Sequence, residues 1–284
     1  MDSYLVGLVG AGIGPSLSPA LHEHEADRLG LRYLYRRLDL DDIGASVGDV
    51  LAAARLAGFD GLNVTHPGKQ AVVPHLDELS PQAAALGAVN TVVFTGGRAV
   101  GHNTDVTGFA RAVERGLPDA PLTDVVLLGA GGAGAACANA LLTMGAGTVR
   151  VFDTVATRAE DLAAALTNQF GQGRSVAGRD LETALAGADG LVHATPTGMR
   201  AHPGLPLPAH LLDPRRWVAE VVYRPLRTAL VEAALDRGCR VLDGGRMAVC
   251  QAADAFRLFT GRVPDEARMH RHFDDIAREE ASCP

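Results

Sequence analysis

Between residues 63 and 105 three polar clusters interrupt an otherwise apolar stretch: Asn63-Val64-Thr65-His66-Pro67-Gly68-Lys69, Gly87-Ala88-Val89-Asn90-Thr91 and Gly101-His102-Asn103-Thr104-Asp105. Each follows or interrupts a run that reads as a strand, which places it at a strand end or on the adjoining loop. Side chains that do chemistry are commonly carried on such loops of a rigid scaffold. Together the clusters offer one ammonium, one carboxylate and several amide and hydroxyl groups, with no cysteine and no nucleophile–base pair. That set suits a small polyhydroxylated ligand and a proton transfer at one of its oxygens. Asn, Thr, Gly and Pro also build turns, and any one cluster alone would be read that way.

A second feature is Gly129-Ala130-Gly131-Gly132-Ala133-Gly134, a G-x-G-x-x-G pattern with glycines at 129, 131 and 134. The pattern alone says little; its context says more. It follows the apolar run Val125–Leu128 and opens an alanine-rich segment, as a strand–turn–helix that receives a pyrophosphate on the helix N-terminus would. Asp153 lies 19 residues past Gly134, at the end of the next expected strand. A carboxylate there accepts from adenosine ribose hydroxyls and repels a 2′-phosphate, so NAD is expected in preference to NADP. The alternative is a packing turn followed by a surface Asp.

The elements that must position these groups follow from periodicity and turn signals. Strands are expected at Tyr4–Val9, Arg32–Leu38, Gly61–Val64, Val89–Thr95 and Arg98–His102, the last two flanking a Gly96-Gly97 hairpin turn. Ser18-Pro19 and Ser80-Pro81 each read as a capping hydroxyl followed by proline at the first helical position, and a further helix is expected over Val47–Leu56. From Asp105, itself a candidate N-cap, a helix runs to about Arg115. Strands at 125–128, 148–152, 175–177, 190–193, 218–222 and 240–242 then alternate with helices at 133–144, 156–167, 181–186 and 226–237. That alternation implies βαβ units on a parallel sheet. From Gly244 onwards the chain reads as helical throughout.

The chain has 284 residues, 47% of them hydrophobic, and a formal net charge of −7. The length allows one large or two moderate domains. The charge argues against nucleic acid or an anionic membrane surface as a partner. Cys137, Cys239, Cys250 and Cys283 show no ligand or pairing spacing, as expected for reduced thiols in a cytoplasmic protein. The apolar stretch from Val125 to Gly147 is broken by glycines, Asn139 and Thr143, and fits a strand–turn–helix better than a membrane span. His22 and His24 stand at i, i+2 on a helix, which splays their rings. No metal site is expected there or at His66, His193, His270 and His272.

These stretches, with Ser16-Leu17-Ser18-Pro19, Asn103-Thr104-Asp105-x-x-Gly108, Ala194-Thr195-Pro196-x-Gly198-Met199, Val222-Tyr223-x-Pro225 and Gly244 to Gln251, resemble the shikimate/quinate dehydrogenases over essentially the whole chain. The resemblance implies a two-domain α/β protein. Its substrate-binding catalytic domain would comprise 1–105 plus 246–284, and a Rossmann dinucleotide-binding domain 106–245, with C-terminal helices returning to the first domain. It implies a catalytic pair, Lys69 and Asp105, and substrate contacts from Ser16, Ser18, Thr65, Asn90, Tyr223 and Gln251. The glycine loop, including Gly132 and Ala133, would bind the cofactor with Asp153 and Thr195, while Val221 and Gly244 face the nicotinamide through their backbones.

Two departures bear on cofactor and substrate. Where NADP-dependent members have Asn-Arg-Thr, this chain has Asp153-Thr154 after Phe152, which resembles the NAD-using quinate/shikimate subgroup, as does His66. Ser18 is instead the hydroxyl typical of shikimate-dedicated members. The expected function is therefore NAD-dependent interconversion of shikimate with 3-dehydroshikimate, extending to quinate and 3-dehydroquinate. The expected partners are these small molecules alone, with no nucleic acid or membrane, and a homodimer is compatible with the sequence. Two alternatives stand beside it: a dehydrogenase of an aminated analogue of the ring, and a nicotinamide-binding regulatory protein without turnover.

Overall fold

Strand β1 (Ser3–Gly10) feeds a core on each of its faces. Val6 and Leu8 pack with Ile13, Tyr35, Ala255 and Phe259, whereas Val9 packs with Val47, Val50, Leu51 and Leu62. Alternate residues of a strand point to opposite faces, so a strand covered on both sides reads as a nearly continuous apolar run. Parallel neighbours flank it: β2 (Arg32–Asp39) on one edge and β3 (Gly61–Val64) on the other. With β4 (Glu78–Leu79), β5 (Thr91–Thr95) and β6 (Arg98–His102) they form a six-stranded sheet in the order β2-β1-β3-β5-β6-β4. β5 runs antiparallel to both β3 and β6, through a turn with Gly96 and Gly97 at φ +55° and +75°. Two residues at positive φ are what a tight hairpin of this hand needs.

The helices of this part are α1 (Ser18–Arg28), α2 (Leu40–Ile43), α3 (Val47–Leu56), α4 (Gly68–Ala71) and α5 (Pro81–Leu86). Ser80 caps α5 as expected, accepting the Ala83 N–H, and Gly87 ends it at φ +60°. Ser18 does not cap α1. The residue before the helix, Leu17, is already right-handed (φ −85°, ψ −7°), and a side-chain cap needs an extended residue there.

After α6 (Thr104–Gly116), strands and helices alternate: β7 (Asp124–Leu128), α7 (Gly132–Thr143), β8 (Thr148–Phe152), α8 (Ala156–Phe170), β9 (Ser175–Ala177), α9 (Leu181–Gly187), β10 (Gly190–His193), β11 (Trp217–Glu220), α10 (Ala229–Asp236) and β12 (Arg240–Leu242). Their sheet has the order β12-β11-β10-β7-β8-β9 with every pairing parallel. This is the doubly wound order whose direction of winding reverses between the first and fourth strands, here β7 and β10. α10 starts later than expected because Thr228 is extended and caps Val231. The chain finishes with α11 (Gly244–Thr260) and α12 (Glu266–Ser282). The expected continuous helix is broken there by Gly261 at φ +67° and by Pro264, which cannot continue a helix.

The computed structural model describes residues 2–282, so Cys283 lies outside the described residues; Cys137, Cys239 and Cys250 are buried. The chain divides into two compact units, one of residues up to Thr104 with those from Gln251, the other of Asp105–Cys250. Asp105 and residues 246–250, expected in the first unit, group with the second, because both divisions fall inside continuous helices, α6 and α11. Among the described residues, no helix is long and apolar enough to cross a membrane.

Candidate active site

In the second unit, β7 delivers the chain into the glycine loop and three glycines there do three different jobs. Gly129 sits at φ +102°, and a Cβ on it would stand 2.6 Å from the Ala194 carbonyl oxygen. Gly134 lies so close to the end of β7 that a Cβ would run into the Gly129 carbonyl. Gly131 is the N-cap of α7; it has open space where a Cβ would stand, and no side chain caps the helix. An uncapped helix N-terminus beside open space, with N–H groups and the positive end of the dipole, can hold a phosphate group.

Asp153 directly follows β8 and turns its carboxylate onto that loop. Oδ2 accepts the Ala130 N–H at 2.9 Å, and Oδ1 accepts the Val155 N–H at 2.9 Å. Burial pushes this carboxyl up; the two N–H donors, with Arg158 and Thr154, outweigh it and hold the group below the usual carboxylate range. Arg150, on β8, is committed elsewhere: its guanidinium grips the Asp124 carboxylate at 2.6–2.9 Å.

At the end of β10, Thr195 belongs to a buried chain of side chains. His193 Nε2 lies 2.5 Å from Thr195 Oγ1, and His193 Nδ1 lies 2.8 Å from Glu220 Oε1. Glu220 also accepts the Val222 N–H and the Thr228 hydroxyl, both at 2.9 Å. His193 and Glu220 are direct partners across the β10–β11 pairing, a relation only strand register reveals. Gly244 is where α11 begins against strand-end backbone; a Cβ there would stand 2.6 Å from the Val221 carbonyl oxygen. Tyr223 is half-buried two residues beyond Val221, and Asp105 is buried in the first turn of α6. Because α6 starts at Thr104, Asp105 is not its N-cap.

In the first unit the loop after β1 is tied down at several points. Asp39 accepts the N–H groups of Gly12 and Ile13 (3.1 and 2.8 Å), and Arg37 donates to the Ser16 carbonyl at 2.8 Å. Ser16 and Ser18 come together, hydroxyl to hydroxyl at 3.2 Å. Thr65 sits at the end of β3, with its N–H on the Val9 carbonyl, and Gly10 has no side chain because Thr65 occupies the space a Cβ would need. Lys69, half-buried on α4, has its carbonyl bonded to the Val89 N–H at 2.8 Å, which ties the first polar cluster to the second. Asn90 and Gln251 meet at 3.4 Å, Asn90 donating. Asn90 is only 4% exposed; its Oδ1 accepts the Thr104 N–H at 2.8 Å, which ties the second cluster to the third.

The sequence-based list missed the groups behind these residues: Tyr35, Asn63, Thr91 and Thr104 in the first unit, His193 and Glu220 in the second. Asn63, Thr91 and Thr104 stand inside the polar clusters, which is a usable signal; Tyr35 and Glu220 carry none. Among the described residues no three His, Cys, Asp or Glu side chains group to hold a metal ion. Chemically, the second unit offers an uncapped helix N-terminus that can take a phosphate, with the Asp153 carboxylate against the same loop, and the first offers hydroxyl and amide groups with one ammonium.

Residues 8–92 match the shikimate dehydrogenase substrate binding domain, and residues 245–272 the shikimate 5′-dehydrogenase C-terminal domain. A shikimate dehydrogenase (NADP(+)) of Streptomyces avermitilis is 65% identical over 281 residues, covering 97% of each chain. A quinate/shikimate dehydrogenase (NAD(+)) of Corynebacterium efficiens is 52% identical over 278 residues, covering 96% of this chain and 98% of that one. The solved quinate dehydrogenase from Corynebacterium glutamicum in complex with NAD superimposes with a TM-score of 0.93 at 49% identity, covering 97% of this chain and 100% of that one. The relatives' names divide over the cofactor. On these identities and coverages, the chain belongs to the shikimate/quinate dehydrogenase family of NAD(P)-binding oxidoreductases.

Proposed function

We propose that this protein is a cytoplasmic NAD-dependent dehydrogenase that oxidises shikimate to 3-dehydroshikimate, and quinate to 3-dehydroquinate, reversibly. The observation that carries the choice of NAD is the carboxylate of Asp153, ionised and set against Ala130 of the glycine loop. A 2′-phosphate beside it would meet a negative charge, and Arg150 on β8 is engaged by Asp124. The 65% identical relative named for NADP makes this a direct question for the enzyme.

The bound nicotinamide supplies or takes the hydride. Gly129, Ala130, Gly131, Gly132, Ala133 and Gly134 hold the pyrophosphate, Asp153 the adenosine ribose, and Thr195, Val221 and Gly244 the nicotinamide end. Ser16 and Ser18 hold the substrate carboxylate by paired hydroxyls, and Thr65, Asn90, Tyr223 and Gln251 orient the ring. Lys69 moves the proton: as amine it takes one from the ring alcohol, and as ammonium it gives one to the ketone oxygen. Asp105 steadies that charge and accepts from the adjacent ring hydroxyl. General acid–base transfer of this kind contributes about 10²–10⁴-fold, and orientation supplies the remainder.

Initial rates of NADH or NADPH formation with shikimate and with quinate decide the proposal. NAD should be the efficient cofactor with both acids, and equal kcat/KM with NADP would refute the role of Asp153.

A further inference from the structure

Within the first unit a run of polar side chains leads from the core to Gln251. Tyr35 donates its hydroxyl to Asn63 Oδ1 at 2.8 Å. Asn63 Nδ2 donates to Thr91 Oγ1 at 3.0 Å and to the Asn90 carbonyl at 3.3 Å. The Thr91 hydroxyl donates to Asn90 Oδ1 at 3.0 Å, and Asn90 Nδ2 donates to Gln251 Oε1 at 3.4 Å.

The two ends of a side-chain amide have the same shape and opposite hydrogen-bonding roles, so orientation must come from partners that can play one role only. Two backbone groups do this. The Asn90 carbonyl can only accept, so the Asn63 atom facing it must be nitrogen. The Thr104 N–H, 2.8 Å from Asn90 Oδ1, can only donate, so that atom must be oxygen. With both ends pinned, the Thr91 hydroxyl between them has one arrangement: it accepts from Asn63 and donates to Asn90. The Asn90 nitrogen then faces both the Thr104 hydroxyl, at 3.0 Å, and Gln251; the Gln251 atom it meets must be oxygen, and the Gln251 NH2 is turned away from Asn90. Thr91 is fully buried and Asn90 nearly so, so bulk water has no part in setting this order.

We propose that Thr91 and Asn63, braced by Tyr35, act together with Thr104 as positioning residues that lock Asn90 and Gln251 in a single amide orientation, so that Gln251 meets the ring acid as a hydrogen-bond donor. This rests on the reading of Asn90 and Gln251 as substrate contacts. An amide free to flip would spend part of its time with its carbonyl against a ligand oxygen, and an unmatched polar contact of that kind costs more than a missing one.

The test is calorimetric binding of shikimate and, separately, of NAD to Thr91→Val, Thr91→Ser and Gln251→Ala. Thr91→Val keeps the shape and removes the hydroxyl; Thr91→Ser keeps the hydroxyl. Thr91→Val should weaken shikimate about fivefold or more, Thr91→Ser should stay within about twofold of wild type, and NAD should be unaffected by either. In the Gln251→Ala background, Thr91→Val should add little, because the group it orients is gone. Wild-type shikimate affinity in Thr91→Val beside a weakened Gln251→Ala would overturn the positioning role alone. Undiminished affinity in Gln251→Ala would overturn the substrate reading and the positioning role with it. Should Thr91→Val not fold, Tyr35→Phe removes the outermost donor and must show the same selective loss, in smaller degree, for the proposal to stand.

Discussion

The carboxylate of Asp153 accepts the backbone N–H of Ala130 at 2.9 Å, so the acid proposed to read the cofactor also holds the glycine loop proposed to bind it. Asp153→Ser should therefore do two things: weaken NAD by roughly tenfold, and narrow the gap between NAD and NADP as the repelling charge disappears. Michaelis constants for both cofactors check this. A variant with unaltered cofactor preference would remove Asp153 from that role.

Lys69→Ala should lower kcat by at least about 100-fold with NAD affinity nearly intact, since it deletes the proposed proton transfer and leaves the proposed dinucleotide site alone. Activity within about threefold of wild type would mean that another group carries the proton.

Ser18→Thr should shift the ratio of kcat/KM for shikimate and quinate by roughly 1 kcal/mol or more, the usual worth of one methyl in a pocket. Quinate carries an extra hydroxyl beside its carboxylate, and the Ser16–Ser18 hydroxyl pair proposed to hold that end has little slack at 3.2 Å. An unchanged ratio would move discrimination to the loop that bears Lys69.

Burial lowers the pKa of His22 from 6.5 to about 3, with its Nδ1 on the Tyr33 hydroxyl at 3.0 Å. The folded state keeps this ring neutral while the unfolded chain protonates it. Its contribution to stability is thus complete above pH 6.5 and is lost as pH falls from there towards 3. In that window it adds up to about 1.4 kcal/mol per pH unit to the slope of unfolding free energy. Denaturant titrations at several pH values should show a shallower acid slope for His22→Phe than for wild type.

The Glu25 carboxylate, fully buried on α1, is held by Arg268 of α12 at 2.6 and 2.8 Å and by the Asp265 N–H at 2.7 Å. Removing one partner of such a pair strands the other charge, so Arg268→Ala should cost about 3 kcal/mol in urea unfolding. A loss below about 1 kcal/mol would show that the pair is dispensable.

Much of this was legible before any coordinates. Val47–Leu56, Gly61–Val64, Thr148–Phe152 and Gly190–His193 form over the spans their periodicity predicts, because local pattern and final burial agree there. The two-residue β4 carries too few residues for a pattern to show. Ser18 misled because its capping role depends on the backbone angles of Leu17, which tertiary anchoring sets. The polar clusters announced themselves by residue type, but what stands behind them did not. Tyr35 reaches Asn63 only because β1 places β2 and β3 on its two edges in a particular register, and His193 finds Glu220 only by the pairing of β10 with β11. Such partners are separated by 28 and 27 positions along the chain. No local signal spans that distance.

The first unit draws its residues from both ends of the chain, and the second is continuous. A ribosome therefore adds all of residues 105–250 to the chain before it adds Phe256 and Phe259, which pack beside His22, or Arg268, which neutralises Glu25. Until those residues emerge, α1 carries a buried acid without its partner and a core without its lid of aromatic rings. The second unit meanwhile has every strand it needs to close around its glycine loop. During synthesis, the unit with the glycine loop has all its residues before the unit with the polar clusters does.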